Sequence, residues 1–375
     1  MDFAFSEEQD EFRATLRRFF EEKAPRAEVR RVMDSAEGYD ATLWKQMGEE
    51  LGLQGVNVPE SCGGQGFGFL ELGIVLEEMG RLLFPSPFLA TSLAIQAILN
   101  AGSEAQQKAL LPALASGQEI ASLALVESVG RWDAEGIAVR ATPDADQLLL
   151  DGTKTFVVEA HAADRLVVAA RLPGSTGSDG ITMCTVARGA PGISVSPVET
   201  MDPLRRQARV EFSQTPAEPL GVPGQAGPAL RKTVAQACIA LSAEMVGAAQ
   251  RCLDLAVEYA KVRVQFGRPI GSFQAIKHKA ADVLLELELA KSAAYWACWV
   301  ADEDGEELEE AAHLAKAFCG DALRLAATEN IQIHGGIGFT WEHDAHLYYK
   351  RSQGSDVLFG DPTEHRAALA DQLGF

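Results

Sequence analysis

Arg263-Val264-Gln265-Phe266-Gly267-Arg268-Pro269-Ile270-Gly271-Ser272-Phe273-Gln274 interrupts two long segments of helical period, and its reading decides the fold. Upstream, Val246, Ala249, Leu253, Ala256, Val257 and Ala260 recur at three- and four-residue spacing, which marks a helix with one buried face. Downstream, Ile276, Ala280, Val283, Leu284, Leu287 and Ala290 do the same. Gly267, Pro269 and Gly271 break the helix between them, because Gly admits unusual dihedrals and Pro lacks a donor. A loop joining two long helices would thus present Arg263, Gln265, Phe266 and Gln274. Such a set suits an anionic, partly aromatic ligand: Arg forks onto phosphate oxygens, Gln donates and accepts, and Phe packs on a ring. A helix hairpin with solvated Arg and Gln is the plainer reading of the spacing alone.

A second stretch bears on the choice: Gln332-Ile333-His334-Gly335-Gly336-Ile337-Gly338-Phe339. Together the two resemble the R-x-x-F-G…F-Q and Q-x-x-G-G-x-G signatures of the flavin-dependent acyl-CoA dehydrogenases, in that family's order. The resemblance implies an FAD cofactor, an acyl-CoA substrate and an electron-transfer flavoprotein or similar acceptor. It also implies that both signatures reach the FAD of a neighbouring subunit. On that basis Arg263 would pair with the pyrophosphate, Gln265 and Phe266 would line the adenosine, and Gln274 would brace the loop. Gln332, Gly335 and Gly336 would bring backbone N–H groups against phosphate, where a Cβ would block the approach.

Composition bounds the rest. The 375 residues are 47% hydrophobic and 23% charged, enough for two or three domains. A net charge of −20 argues against nucleic acid or an anionic membrane as partner, since both require a basic footprint. Six scattered cysteines without a C-x-x-C pair are expected to be buried free thiols, which fits a cytoplasmic protein. No signal peptide is evident, and no apolar run approaches a membrane span.

Ser6-Glu7-Glu8-Gln9 has the form of a capping box, and Phe12, Leu16, Phe19 and Phe20 follow at helical spacing. Helical patterns continue over Leu43–Met47, Phe69–Leu83, Leu89–Ala101 and Lys108–Leu114. From Ala121 the pattern changes to short runs: Ser122–Val126, Ile137–Ala141, Gln147–Leu150, Thr155–Val158, Arg165–Ala170, Ile181–Val186 and Arg209–Phe212. Asp151-Gly152 reads as a hairpin turn, and the runs as a small antiparallel sandwich or barrel. Helical period returns near 229–262, 272–300 and 306–330, long enough for an antiparallel bundle. Asp302-Glu303-Asp304-Gly305-Glu306 reads as a solvated loop. The expected class is α+β multidomain: a helical domain over 1–118, a β domain over 119–222, and a C-terminal bundle over 223–375. That helix–β–helix order is similar to the family's three-domain plan, which assembles as a tetramer through the C-terminal bundle.

Desaturation of an acyl-CoA needs a carboxylate to take the proton α to the thioester carbonyl, hydrogen bonds to the developing enolate, and a flavin to accept hydride. In many relatives the base is the Glu of a Tyr-Glu-Gly-Thr segment past the GGxG loop. Counted without gaps, that segment falls on Leu358-Phe359-Gly360-Asp361, which puts Phe359 at the base position. A phenyl ring cannot accept a proton. Other relatives carry the base on the preceding helix, where the register gives Ala237. Glu244 lies seven residues along the same face, about 10 Å further by helix rise, and is the remaining candidate; the alternative is a hydrogen-bonded or subunit-pairing carboxylate. The flavin-edge loop and strand of relatives correspond to Val126-Glu127-Ser128-Val129-Gly130 and Phe156-Val157-Val158, which keep Glu127 but lack the threonine hydroxyls.

The expected function is therefore that of a base-lacking partner subunit in an α2β2 hetero-oligomer. One alternative is a homotetrameric dehydrogenase with a relocated base such as Glu244; others are a flavin oxidase or monooxygenase, or a scaffold without chemistry. Glu342-His343-Asp344-Ala345-His346 sets two His three residues apart, but no third ligand accompanies them, so metal binding is not expected. A phosphate-loop triphosphatase and a Rossmann dehydrogenase are excluded for want of their motifs.

Overall fold

The protein, described from a computed structural model, is defined over residues 5–145, 147–303 and 305–375. Ser6 starts the first helix as its spacing predicts. Its Oγ accepts the Gln9 N–H at 3.2 Å, and the Gln9 side chain accepts the Ser6 N–H at 3.0 Å, so two donors that a helix start leaves bare are satisfied. The helices of the first third are α1 (Glu7–Lys23), α2 (Arg26–Met33), α3 (Ala41–Glu49), α4 (Phe69–Leu82), α5 (Phe88–Ala101) and α6 (Glu104–Ala115). All but α2 were expected; at 8 residues, α2 is too short to repeat its period convincingly.

The middle of the chain forms β1 (Ala121–Ala124), β2 (Arg140–Asp144), β3 (Gln147–Val158), β4 (Arg165–Arg171), β5 (Ile181–Ala187), β6 (Ile193–Val198) and β7 (Gln207–Leu220). Pairing runs β1-β4-β2-β3-β7-β5, and β5 returns to β4, which closes the sheet into a barrel. Three expectations need correction. Asp151-Gly152 does not turn; it lies inside β3, which joins the two short runs on either side into one strand. There the ladder with β7 shifts register between Leu150 and Gly152, and Asp151 accepts the Gln214 N–H at 3.0 Å, so the glycine (φ +138°) serves a bulge. The sheet is also not wholly antiparallel, because β1 pairs β4 in parallel after the β2–β3 excursion. Finally, β6 was not anticipated. Among the described residues it pairs only with β7, and Pro197 is tolerated on such an edge strand.

The last third forms α7 (Gly227–Val262), β8 (Val264–Gln265), β9 (Arg268–Pro269), α8 (Gln274–Glu303), α9 (Leu308–His334), α10 (Ala345–Val357) and α11 (Pro362–Gln372). Asp302 and Glu303 end α8 instead of opening a loop, and Asp302 caps α4 by accepting the N–H groups of Phe69 and Leu70. Asp304, the third residue of that expected loop, lies outside the described residues.

Two compact units interleave along the chain. One combines the chain through Arg30 with Phe69–Phe84 and Cys238–Phe375. Its core is rich in alanine: Ala290, Ala294 and Ala297 of α8 and Ala311, Ala315, Ala322 and Ala326 of α9 are buried, which lets the two helices approach closely. Buried Glu77 and Glu78 of α4 are held by Arg13 at 2.7 Å and Arg17 at 2.6 Å, with the Tyr295 hydroxyl donating to Glu77 at 2.9 Å. Leu284, expected on the buried face, is instead exposed on α8 beside Leu285 and Leu289. The other unit, Arg31–Gly68 with Pro85–Ala237, contains the barrel and α5, a helix buried on nearly every side that packs on β1. All six cysteines are buried free thiols. Among the described residues, no helix is long and apolar enough to cross a membrane.

Candidate functional site

Arg263 and the residues after it form more than a loop. β8 and β9 pair as a two-residue hairpin with Phe266 (φ +53°) and Gly267 (φ +77°) at its tip. Two successive positive φ values define the mirror-image turn that matches strand twist, a turn that favours Asn-Gly. A bulky aromatic at the first position is strained. Phe266 is also 90% exposed; among the described residues an edge-on contact with Phe273, ring centroids 6.1 Å apart, is its aromatic neighbour and does not bury it.

The structure brings the two signatures together within one unit. Ile333, beside Gln332, packs with Ala256 and Ala260 of α7, and Ile270 and Ile276 from around the hairpin cover the cluster. Arg263, Gln265 and Phe266, Gln274 at the start of α8, and Gln332 in the last turn of α9 are all exposed around it. Gly335 (φ +64°, ψ −142°) ends α9, and its N–H donates to the carbonyls of Gln332 and Ile331. That N–H is therefore used within the chain. What Gly335 and Gly336 offer an outside group is open approach: a Cβ added at either meets no atom within 4 Å. Val264, Phe339 and Trp341 are exposed nearby. One guanidinium, several amides and bare glycine backbone, rimmed by exposed apolar side chains, suit phosphate and an aromatic base.

Behind the Gly335 loop, Tyr259 stacks on His334 with ring centroids 4.3 Å apart, and His343 lies 4.2 Å from His334 on its own side. Burial, then the neighbouring His334, pushes the His343 pKa down to about 4. Asp344 is taken up by Arg26 at 2.8 Å and Arg30 at 2.6 Å. Among the described residues no group of three or more His, Cys, Asp or Glu is placed to hold a metal ion.

Phe359 is buried and held at φ +61°. Its carbonyl accepts the His365 Nε2–H at 3.0 Å. Because that nitrogen carries the proton, Nδ1 of His365 is the acceptor in the 2.8 Å bond from His313 Nδ1. Burial, then the Lys316 charge, pushes the His365 pKa down to about 3. Lys316, itself buried, donates to Gly360 O at 2.7 Å and Asp356 O at 3.0 Å, and burial lowers its pKa. Asp361 caps α11, accepting from Thr363 N at 2.7 Å and Glu364 N at 2.8 Å. Glu244 is buried and paired with Arg351 at 2.7 Å.

In the barrel unit, Glu127 accepts from Ala138 N at 2.9 Å, Val139 N at 3.0 Å and Lys154 Nζ at 2.7 Å. Lys154 is wholly buried, and desolvation lowers its pKa to about 8. Phe156 sits at φ +51° on a register shift of β3, about half exposed, and Ala237 is buried. Lys154, Lys316, Arg351 and His365 were not singled out from sequence. Lys316, between Ala315 and Ala317, had a lone charge among small apolar residues as its signal; the other three lie among polar or charged neighbours that hide them.

Three family models match the chain: the acyl-CoA dehydrogenase N-terminal domain over residues 6–118, the middle domain over 122–215 and the C-terminal domain over 228–374. The chain is 39% identical over 367 residues to the acyl-CoA dehydrogenase IpdE2 of Mycobacterium tuberculosis, covering 98% of each. Among solved structures it is similar to a variant of the Tcur3481-Tcur3483 steroid ACAD, with a TM-score of 0.88 and 31% identity over 98% of each chain. It is also similar to the ChsE4-ChsE5 complex of Mycobacterium tuberculosis, with a TM-score of 0.89 and 25% identity over 100% of this chain and 99% of that one.

Proposed function

Since the chain belongs to the acyl-CoA dehydrogenase family, FAD-dependent oxidoreductases acting on CH–CH groups, we propose that it serves as the partner subunit of a hetero-oligomer. Its Arg263 and Gln332 signatures complete a flavin site on a homologous catalytic chain. FAD supplies the hydride acceptor there. Arg263 pairs with phosphate, Gln265 and Phe266 cover the adenosine, Gln274 braces the hairpin, and the bare faces of Gly335 and Gly336 let phosphate approach. The catalytic chain supplies the base that takes the α proton.

One observation carries the reading: the two signatures are exposed and open to close approach at Gly335 and Gly336, whereas the position counted as the base holds buried Phe359. Other features support it. Glu127, the residue retained from the flavin-edge loop, is tied to Lys154 and two backbone amides. Glu244 is engaged by Arg351, as expected of a structural carboxylate. Two of the similar structures, the Tcur3481-Tcur3483 steroid ACAD and the ChsE4-ChsE5 complex, are named for pairs of gene products. Exposed Leu284, Leu285 and Leu289 offer the bundle an apolar face for assembly. By the name of one relative, the acyl group is steroid-derived. The electron acceptor is an electron-transfer flavoprotein, and the compartment is the cytoplasm.

The test is reconstitution. Arg263→Gln in this chain should lower flavin retention and acyl-CoA turnover of the mixed oligomer while leaving its assembly intact. Unchanged flavin retention would contradict the shared site. A steroid-derived thioester should outperform butyryl-CoA, and the reverse order would remove the substrate assignment alone.

A further inference from the structure

Within the first unit, the α1–α2 turn, the end of α4, α7 and α10 enclose a cavity of about 250 Å³. Four arginines line it, Arg26, Arg30, Arg81 and Arg251, against two carboxylates, Glu21 and Asp344. Four guanidinium groups gathered on one recess stand out in a chain of net charge −20. Each guanidinium has an internal partner, Arg26 and Arg30 also donating to the carbonyls of Glu342 and His343, and Arg251 is the most loosely held. Arg26 and Arg30 share the single carboxylate of Asp344, at 2.8 and 2.6 Å, and Arg251 reaches Glu258 only at 3.6 Å. Arg81 is held more firmly, 3.1 Å from Asp254.

The remaining wall is largely apolar, Leu255 and Leu347 included, and the Tyr348 hydroxyl is occupied by the Arg81 carbonyl. Charges in such a recess act through a lower effective dielectric than in bulk water. Guanidinium forks match phosphate oxygens two at a time. The volume lies just below the range of about 300–1,000 Å³ usual for small-molecule pockets, enough for a phosphate head and a few carbons. We propose that this cavity is a binding site for a small phosphate-bearing anion, held chiefly by Arg251, Arg26 and Arg30 and separate from the flavin signatures.

Calorimetric titration of the full chain with inorganic phosphate should show saturable binding, with chloride at equal ionic strength as the control. Arg251→Gln should weaken the affinity about tenfold, the loss expected for one charge-assisted contact. Arg263→Gln should leave it unchanged, which separates this site from the flavin signatures. Should Arg251→Gln not fold, Arg26→Gln, at a half-exposed side chain, is read in its place. No phosphate-specific heat, equal affinity in wild type and the cavity variant, or loss in Arg263→Gln would each overturn the assignment.

Discussion

Glu244 and His365 show how single side chains decide between chemistry and support. A carboxylate buried 2.7 Å from Arg351 is poorly placed to serve as a mobile base, because moving it strands a buried cation. Glu244→Ala is therefore expected to cost on the order of 3 kcal/mol in stability, read by denaturant melt. Turnover per bound flavin in the mixed oligomer should persist; its abolition in the milder Glu244→Gln would restore the relocated-base reading. His365 makes a pH prediction. Its folded pKa of about 3 lies below the ordinary histidine value of 6.5, so the unfolded chain takes up this proton first as pH falls. The histidine's contribution to stability is full above about pH 6.5 and is lost as pH drops toward the folded value. Wild-type protein should lose Tm more steeply between pH 6.5 and 4 than His365→Gln, whose amide still donates to the Phe359 carbonyl without titrating. Equal slopes would contradict the lowered pKa of His365.

Among the elements, the β8–β9 hairpin is the least expected and the most informative. Gly267, Pro269 and Gly271 showed in the sequence that the helix must break. They did not show that the break would pair on itself, because two-residue strands carry no period to read. The tip stores strain at Phe266, which a ligand or neighbouring chain is needed to justify. Phe266→Asn should thus stabilise the isolated chain by about 0.5–1 kcal/mol, in line with the turn preference, while weakening flavin retention in the mixed oligomer. A loss of stability in the isolated chain would show that Phe266 works within its own fold. The barrel teaches the same limit from the other side. Asp151-Gly152 carries strong turn chemistry, yet β7 runs on past it and turns that signal into a bulge. Local propensity yielded there to a pairing partner more than fifty residues away in sequence.

At the scale of the molecule, the helix–β–helix order was legible because long periodic segments and short alternating runs differ over many residues. The α7–α9 segments and five of the six N-terminal helices followed directly. Both signatures were legible as motifs, and packing through Ile333 and Ala256 adds that one unit presents them together. What the sequence withheld were the buried charges: Lys154 on Glu127, Arg351 on Glu244, and Lys316 behind Phe359. The partner of each is fixed only by tertiary packing. One of those charges bears directly on function, since Arg351 occupies Glu244, the carboxylate weighed as a relocated base. The central claim is that this chain lends half of a flavin site and hosts no complete one. Flavin stoichiometry tests it most directly, measured on the purified chain alone and on the oligomer reconstituted with its sister chain. The account predicts little bound FAD alone and half occupancy per chain in the mixture; one FAD per chain with turnover from the isolated protein would contradict it.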